Sequence, residues 1–308
     1  MEIALQFVLL ALGFVMLGKG ADWFVEGAAG IAMRFGIPQL VIGLTIVAMG
    51  TSAPEAAVSI AAAVKGNADI TIGNILGSNI LNILVILGLA ASIVPIAVAR
   101  STVRIEISFM IGVTALLFYQ GRDGSISLAD GGVLMVAFAA YMMYLYTMAM
   151  KSNVDSDLEK PGLPLGRCLL GAVGGLALII AGSNVTVGAA TSIATYAGLS
   201  ERFIGLTIVA LGTSLPELFT SVAAARRGNA DIAIGNIVGS NIFNILFVVG
   251  LSSLIIDIPF ASAFNFDTYV ALGAAVLLWL CVLRTQRLQR WAGALMLVCY
   301  AAYLGYIL

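Results

Sequence analysis

The sequence predicts an all-α integral membrane protein: ten transmembrane helices in two inverted five-helix repeats, with helices 2 and 7 broken. Three observations predict it. Of 308 residues, 61% are hydrophobic and 10% charged, against roughly 25% charged in soluble domains, which is more apolar surface than one water-soluble core can bury. Apolar stretches of the roughly 20 residues that a bilayer core of about 30 Å requires recur ten times between short polar breaks. One 42-residue segment occurs twice, and each copy carries a Pro-Glu pair deep in an apolar run.

The same composition excludes several kinds of chemistry. Histidine is absent, which removes His-ligated metals, Ser-His and Cys-His nucleophile pairs and histidine proton relays. Fifteen Lys and Arg against sixteen Asp and Glu leave a net charge of −1, so there is no basic footprint for nucleic acid. Cys168, Cys281 and Cys299 stand far apart in apolar runs; with neither metal spacing nor a disulfide framework, they read as packing residues. A soluble enzyme is excluded, any chemistry uses oxygen atoms, and neither a cofactor nor an obligatory protein partner is expected.

Span 1, near 3–30, carries Lys19, Asp22 and Glu26. At about 28 residues, or roughly 42 Å, it exceeds the bilayer core and must tilt or protrude. Its opening MEIALQFVLL lacks a basic leader and a small-residue cleavage site, so it is expected to stay as a helix. Spans 2 to 5 follow near 38–64, 69–93, 103–120 and 128–149. The polar stretch KSNVDSDLEKPGLP, 151–164, is too short for a domain and has linker composition. It separates a first five-helix repeat, 1–150, from a second, 165–308. Span 6, near 166–194, matches span 1 in length and is glycine-rich and uncharged beyond Arg167, so the two could slide as a pair against the central bundle. Spans 7 to 10 fall near 202–225, 231–256, 267–283 and 290–308. Eleven of the Lys and Arg lie at odd-numbered loops, while the even loops hold only Lys65, Arg122 and Arg202. Cationic residues beside short loops favour the cytoplasm, so both termini are predicted outside, in the plasma (inner) membrane.

Residues 43–84 and 205–246 align without a gap at an offset of 162, with 31 of 42 positions identical, including Thr, Ser, Pro, Glu, Asn and Asp. Chance likeness between apolar helices would match Leu and Ala. With five spans per half, an odd number, the second copy enters the membrane from the opposite side, and a shared polar site near the midplane is the layout of a secondary transporter. Duplication for packing alone would leave the intramembrane carboxylates unexplained.

Pro54 and Pro216, each preceded by Gly-Thr-Ser, remove an amide donor inside their spans and free carbonyls upstream. A lone proline reads as a kink; two at equivalent positions, each followed at once by Glu55 or Glu217, read as a site. An intramembrane carboxylate costs about 2.5 kcal/mol or more, and no Lys or Arg lies in either motif core, so the counter-charge is a transported cation or a proton. Asn74, Ser78 and Asn82, with their copies Asn236, Ser240 and Asn244, recur at i, i+4 and i+8 and share a helical face. They serve either as interhelical hydrogen bonds or, with the broken-helix oxygens, as an all-oxygen cage for hard cations. Gly73 with Gly77, and Gly235 with Gly239, are small-xxx-small pairs for close helix approach. Asp69 and Asp231 read as helix-opening residues that favour the dipole.

GLTIVAMGTSAPE with GNILGSNILN, and GLTIVALGTSLPE with GNIVGSNIFN, resemble the two alpha repeats of the sodium/calcium exchanger family within the cation/Ca²⁺ exchanger superfamily. The motifs cover about 84 of the 308 residues, and the ten-span layout extends the likeness along the chain. The resemblance implies that helices 2, 3, 7 and 8 form a central site across which helices 1 and 6 slide. It implies Glu55 and Glu217 as carboxylate ligands of Ca²⁺, with the carbonyls of Thr51 and Thr213. For Na⁺ it implies the same carboxylates with Ser52, Ser214, Ser78, Ser240 and the carbonyls of Ala48 and Ala210, and it places Asn82 and Asn244 along the site. Asn at both of these last positions argues against K⁺ dependence, and the GNADI segments argue against the proton/calcium branch. The calcium-sensing cytoplasmic insert of animal members is absent between the halves.

The expected activity is Na⁺/Ca²⁺ antiport by alternating access, with Ca²⁺ exported down an inward Na⁺ gradient. Two carboxylates without cations would expose uncompensated charge to low dielectric during the switch, so only loaded forms cross and the two ions are coupled. The rivals are a proton-coupled cation exchanger, told apart by pH dependence without sodium dependence, and an intramembrane carboxylate protease, which would leave the Ser, Asn and carbonyl oxygens unexplained.

Overall fold

Inside a bilayer every backbone amide and carbonyl must find a partner within the protein, and long apolar runs meet that demand as helices. The computed structural model describes residues 2–66, 68–152, 163–198 and 210–307, and along these the chain is almost wholly helical. Helix α1 spans Glu2–Phe35. It is followed by α2a, Gln39–Thr51, and α2b, Ala53–Val64, which meet at a 51° bend. Helix α3 runs from Asp69 to Leu81 and continues through Asn82–Leu87 and Gly88–Ile93. Helix α4 comprises Arg100–Arg104 and Glu106–Gln120, and α5 is Leu128–Ser152. In the second half, α6 is Leu165–Tyr196, α7a is Ala210–Thr213, α7b is Leu215–Arg226 and α8 spans Ala230–Ile255. The last two are α9, Ala263–Leu283, and α10, Arg290–Ile307. Among the described residues, eight helices are long and apolar enough to cross a membrane, and the bent α2 makes nine. The opening of span 7, with the second copy's 205–209 and Arg202, lies outside the described residues, as does most of the 151–164 linker with Lys160.

Two boundaries differ from expectation. Helix α1 continues to Phe35, stopping where Gly36 turns to φ 63°, so its 34 residues reach about 51 Å. Helix α4 begins at Arg100 and is interrupted at Ile105, which sequence periodicity gave no reason to expect.

The central helices are α3 and α8, where 78% and 94% of the most apolar window is buried, against 17% in α1, α5 and α10. On those outer helices Val8, Val136 and Val298 stand exposed, a surface that suits lipid tails. Two short ribbons record the inversion. Strand β1, Ile96–Ala97, pairs with β4, Arg287–Leu288, and β2, Ser125–Ile126, pairs with β3, Ile258–Pro259. Adding 162 to β1 gives β3, and adding it to β2 gives β4. The ribbon β1–β4 is therefore the copy of β3–β2, and the two sit at opposite ends of α4.

The shared GNAD segments are tight turns. Gly66 and Gly228 close α2b and α7b at φ 80° and 77°, a conformation natural to glycine. Asp69 then opens α3, and Asp231 lies in the first turn of α8, as expected of helix-opening residues. Helices α1 and α6 join antiparallel along a glycine seam. A Cβ at Gly20 would stand 2.9 Å from the Gly175 carbonyl oxygen, and one at Gly182 would stand 3.1 Å from that of Gly13. Cys168 continues the seam against Gly30, and Cys168, Cys281 and Cys299 are all free thiols.

Candidate functional site

Each half contributes a broken helix and a glycine-bearing helix, and the break falls at a serine. Ser52 (φ −80°, ψ 5°) separates α2a from α2b, and Ser214 (φ −91°, ψ 4°) separates α7a from α7b. Prolines at the second turn position, Pro54 and Pro216, start the new helices at no cost, because an opening turn needs no amide donor there. Glu55 and Glu217 follow in the first turn of α2b and α7b, where the helix dipole favours negative charge. Both are fully buried.

The two halves exchange partners at this point. Ser52 Oγ donates to Glu217 Oε1 at 2.7 Å, and Ser214 Oγ donates to Glu55 Oε1 at 3.2 Å. Ser78 of α3 reaches the same Glu55 oxygen at 3.4 Å and stands 3.3 Å from Ser214 Oγ. Ser240 of α8 donates to the Ala48 carbonyl at 3.4 Å, which Thr51 Oγ1 also contacts at 3.3 Å. The contacts fall into three groups around the two breaks: Glu55 with Ser214 and Ser78, Glu217 with Ser52, and the Ala48 carbonyl with Thr51 and Ser240. Thr213 ends α7a beside the second break, and Ala210 opens the described part of that helix.

The remaining acceptors are the informative ones. Glu55 Oε2, Glu217 Oε2, Asn82 Oδ1 and Asn244 Oδ1 are buried with no hydrogen-bond donor. Among the described residues the salt bridges are those of Arg227 with Asp22 and Glu26, so no described cationic side chain neutralises either glutamate. An unpaired buried carboxylate costs several kcal/mol. The arrangement accepts positive charge from outside the protein and offers it only hard oxygen ligands.

Asn74 and Asn236, which share the helical face of Ser78 and Ser240, are used up structurally. Asn236 accepts from Thr51 Oγ1 at 3.0 Å and donates to Ser221 Oγ at 2.8 Å, while Asn74 donates to Ser59 Oγ at 2.9 Å. Of the two open readings for this face, interhelical bonding holds for these two. Gly235 and Gly239 do admit a close neighbour: a Cβ on Gly239 would lie 2.8 Å from Leu44 Cα on α2a. The counterpart stretch for Gly73 and Gly77 falls at 202–209, outside the described residues.

The helical-face reading overlooked Asn79 and Asn241. Both are buried, and they accept bonds from Asn244 and Asn82, respectively, across the interface. Their identity in the two copies was the available signal. Glu106, a buried acid on α4 bonded to the Tyr144 hydroxyl of α5, was also overlooked; it has no acidic copy in the second half, where Thr268 stands.

A cavity of about 700 Å³ opens between α2b and α6, lined by Ala53, Pro54, Val58, Ser183, Asn184 and Thr213 among others. The equivalent gap between α7b and α1 is smaller, about 550 Å³, and its lining, which includes Gly18, Lys19, Asp22 and Phe219, holds no residue of either helix break. There Phe14 packs on Phe219 at 6.1 Å between ring centroids, and Arg227 bonds Asp22 and Glu26 at 3.1 and 3.2 Å. The same asymmetry marks the helices themselves: Val58 is 43% exposed, its copy Thr220 fully buried.

Comparison with known proteins places this architecture. The family described as sodium/calcium exchanger protein matches residues 5–147 and 168–308. The sodium/calcium exchanger MaX1 of Methanosarcina acetivorans is 32% identical over 98% of both chains. The inner membrane protein YrbG of Escherichia coli is 40% identical over 80% of this chain and 79% of its own. The solved structure of the sodium-calcium exchanger NCX_Mj, soaked with zero Na⁺ and Ca²⁺, superposes with a TM-score of 0.87 at 33% identity, covering 99% of this chain and all of the other. The fold is that exchanger architecture, with its two repeats.

Proposed function

This chain belongs to the sodium/calcium exchanger protein family, and on that premise we propose that it exchanges Na⁺ for Ca²⁺ across the plasma (inner) membrane by alternating access, exporting Ca²⁺. Family membership makes it a membrane cation exchanger; the ion pair, direction and mechanism are our reading. Among the described residues eleven buried side-chain atoms lack a partner, and the observation that carries the reading is that four of these pair across the repeat, one carboxylate and one carboxamide oxygen from each half. Glu55 and Glu217 hold Ca²⁺ with the carbonyls of Thr51 and Thr213. The same carboxylates hold Na⁺ with Ser52, Ser78, Ser214, Ser240 and the carbonyls of Ala48 and Ala210, while Asn82 and Asn244 line the site.

Coupling follows from charge. One Ca²⁺ or several Na⁺ cancel the two carboxylates, whereas an unloaded pair pulled into low dielectric lacks compensation. Only loaded carriers therefore switch sides. The gap beside α2b reaches the helix breaks at Pro54 and Thr213, the one beside α7b is lined by no residue of either break, and this difference supports a carrier that exposes one side at a time. With odd loops cytoplasmic and both termini outside, the gap beside α2b is the extracellular one. The interlocked glycines of α1 and α6 support their moving as a pair, and the 151–164 linker joins the halves 1–150 and 165–308 on the cytoplasmic side.

The test is ⁴⁵Ca²⁺ uptake into sodium-loaded proteoliposomes. Wild-type protein is expected to take up Ca²⁺ only against an outward Na⁺ gradient, and Glu55→Gln and Glu217→Gln to abolish uptake. Uptake that ignores the sodium gradient but follows pH would replace this reading with proton coupling.

A further inference from the structure

Resting on the cation site above, we propose that Asn79 and Asn241 are positioning residues. Each fixes the carboxamide of the ligand-lining asparagine in the opposite half, Asn79 that of Asn244 and Asn241 that of Asn82, so that an oxygen and never an amide group faces the cation.

The argument starts from two backbone carbonyls. Asn79 and Asn241 are each other's repeat copies, 162 positions apart. Asn79 Nδ2 donates to the Asn241 carbonyl at 3.2 Å, and Asn241 Nδ2 donates to the Asn79 carbonyl at 3.2 Å. A residue bonded to its own copy lies on the axis relating the halves. A carbonyl can only accept, so in both side chains Nδ2 is committed to it and Oδ1 is left as an acceptor. That acceptor decides the next pair. Asn82 Nδ2 donates to Asn241 Oδ1 at 3.0 Å, and Asn244 Nδ2 donates to Asn79 Oδ1 at 3.1 Å. Reversing either outer amide would set oxygen against oxygen between buried side chains.

With their amide groups held, Asn82 and Asn244 have one orientation, and their Oδ1 atoms are the ones that lack a donor. Asn82 stands one turn beyond Ser78, whose hydroxyl touches Glu55, and therefore on the same helical face. A free carboxamide rotates by half a turn at little cost and would then present NH₂ to a cation. The clasp forbids that rotation. All four side chains are buried, and each helix widens into a π-helical turn immediately after it, at Asn82–Leu87 and Asn244–Val249. Such bulges recur at functional sites.

The geometry makes an uncommon demand: coupling runs across the halves and not along each helix. The test is a set of double-mutant cycles on Asn79→Ala, Asn82→Ala, Asn241→Ala and Asn244→Ala, reading the KM for Ca²⁺ and the maximal rate of sodium-driven ⁴⁵Ca²⁺ uptake. Loss of an outer partner of this kind typically weakens metal affinity about 10- to 100-fold, so Asn79→Ala is expected to raise KM by that factor with most of the maximal rate retained. Adding Asn244→Ala is expected to cost little more, while adding Asn82→Ala multiplies the effect; Asn241 pairs with Asn82 in the same way. The Ca²⁺-induced rise in melting temperature of the purified variants gives the same order by binding alone. Should Asn79→Ala not fold, Asn79→Ser enters the same cycles, since it too stops short of the Asn244 amide. Coupling between Asn79 and Asn82, full additivity in all pairs, or an unchanged KM with only less folded protein would each overturn the proposal. Glu55→Gln is measured alongside. Exchange surviving in it removes the cation-site reading itself, whereas its loss together with uncoupled asparagines removes this inference alone.

Discussion

Ser52 bonds Glu217 at 2.7 Å, whereas the mirrored contact of Ser214 with Glu55 is 3.2 Å and shared with Ser78. Two halves alike at 31 of 42 motif positions thus build unequal carboxylate environments. The half with the smaller gap holds its glutamate through one short bond, and the half beside the larger cavity spreads the task over two longer ones.

That inequality predicts unequal serine variants. A hydrogen bond to a charged group contributes about 1.5–3 kcal/mol, so Ser52→Ala is expected to raise the Ca²⁺ concentration for half-maximal sodium-driven uptake roughly 10- to 100-fold. Ser214→Ala, with Ser78 still on Glu55, is expected to cost less. Equal or reversed effects in a proteoliposome titration would contradict the assignment.

The α1–α6 seam predicts that Gly20→Val is damaging, since its Cβ meets the Gly175 carbonyl at 2.9 Å and Ile179 at the same distance. Overpacking of this kind costs about 1–3 kcal/mol. Gly174→Ala, with no described atom within 4 Å of the added carbon, is the control. Thermal unfolding in detergent should drop for the first and hold or rise slightly for the second.

Gap asymmetry predicts unequal labelling. In a background without Cys299, Val58→Cys is expected to react readily with a membrane-impermeant maleimide in detergent, while Phe219→Cys, half-buried against Phe14 in the smaller gap, reacts more slowly. Arg227→Gln should shift this balance only modestly. Its bridges are about one-third to one-half exposed, and such pairs contribute at most about 1 kcal/mol, or roughly fivefold, and less at high salt. A much larger shift would mean that the ion pairs do more than hold two surfaces together.

Orientation is tested in intact cells. Asp123→Cys, between α4 and α5, should label from outside, and Arg284→Cys, between α9 and α10, only after permeabilisation. The opposite pattern would invert both termini and the proposed direction of the gap beside α2b.

Much of this was legible from residues alone. The proline in each apolar span announced the breaks at Ser52 and Ser214, and the glutamate after each proline announced the buried pair, because an intramembrane carboxylate is too costly to retain idly. Asn79 and Asn241 escaped notice because they stand about 100° around the helix from Ser78 and Ser240, off the face traced by i, i+4 spacing. Nothing in the chain states that a residue meets its own copy. Likewise Asn74 and Asn236 carry the same residue type as Asn82 and Asn244, and only their partners separate structural amides from donor-free oxygens.

The sequence by itself determined the duplication at 162, the two breaks and the buried acid beside each. It could do so because a bilayer forces backbone bonding inside each segment, leaving span length, proline and charge as local, readable features. Tertiary structure alone decided which oxygens lack donors, which gap reaches the helix breaks and which serine holds which glutamate. Those contacts join residues 159 to 165 positions apart, and they are set by how two inverted halves pack, which is a property of the interface between the halves and of neither repeat alone.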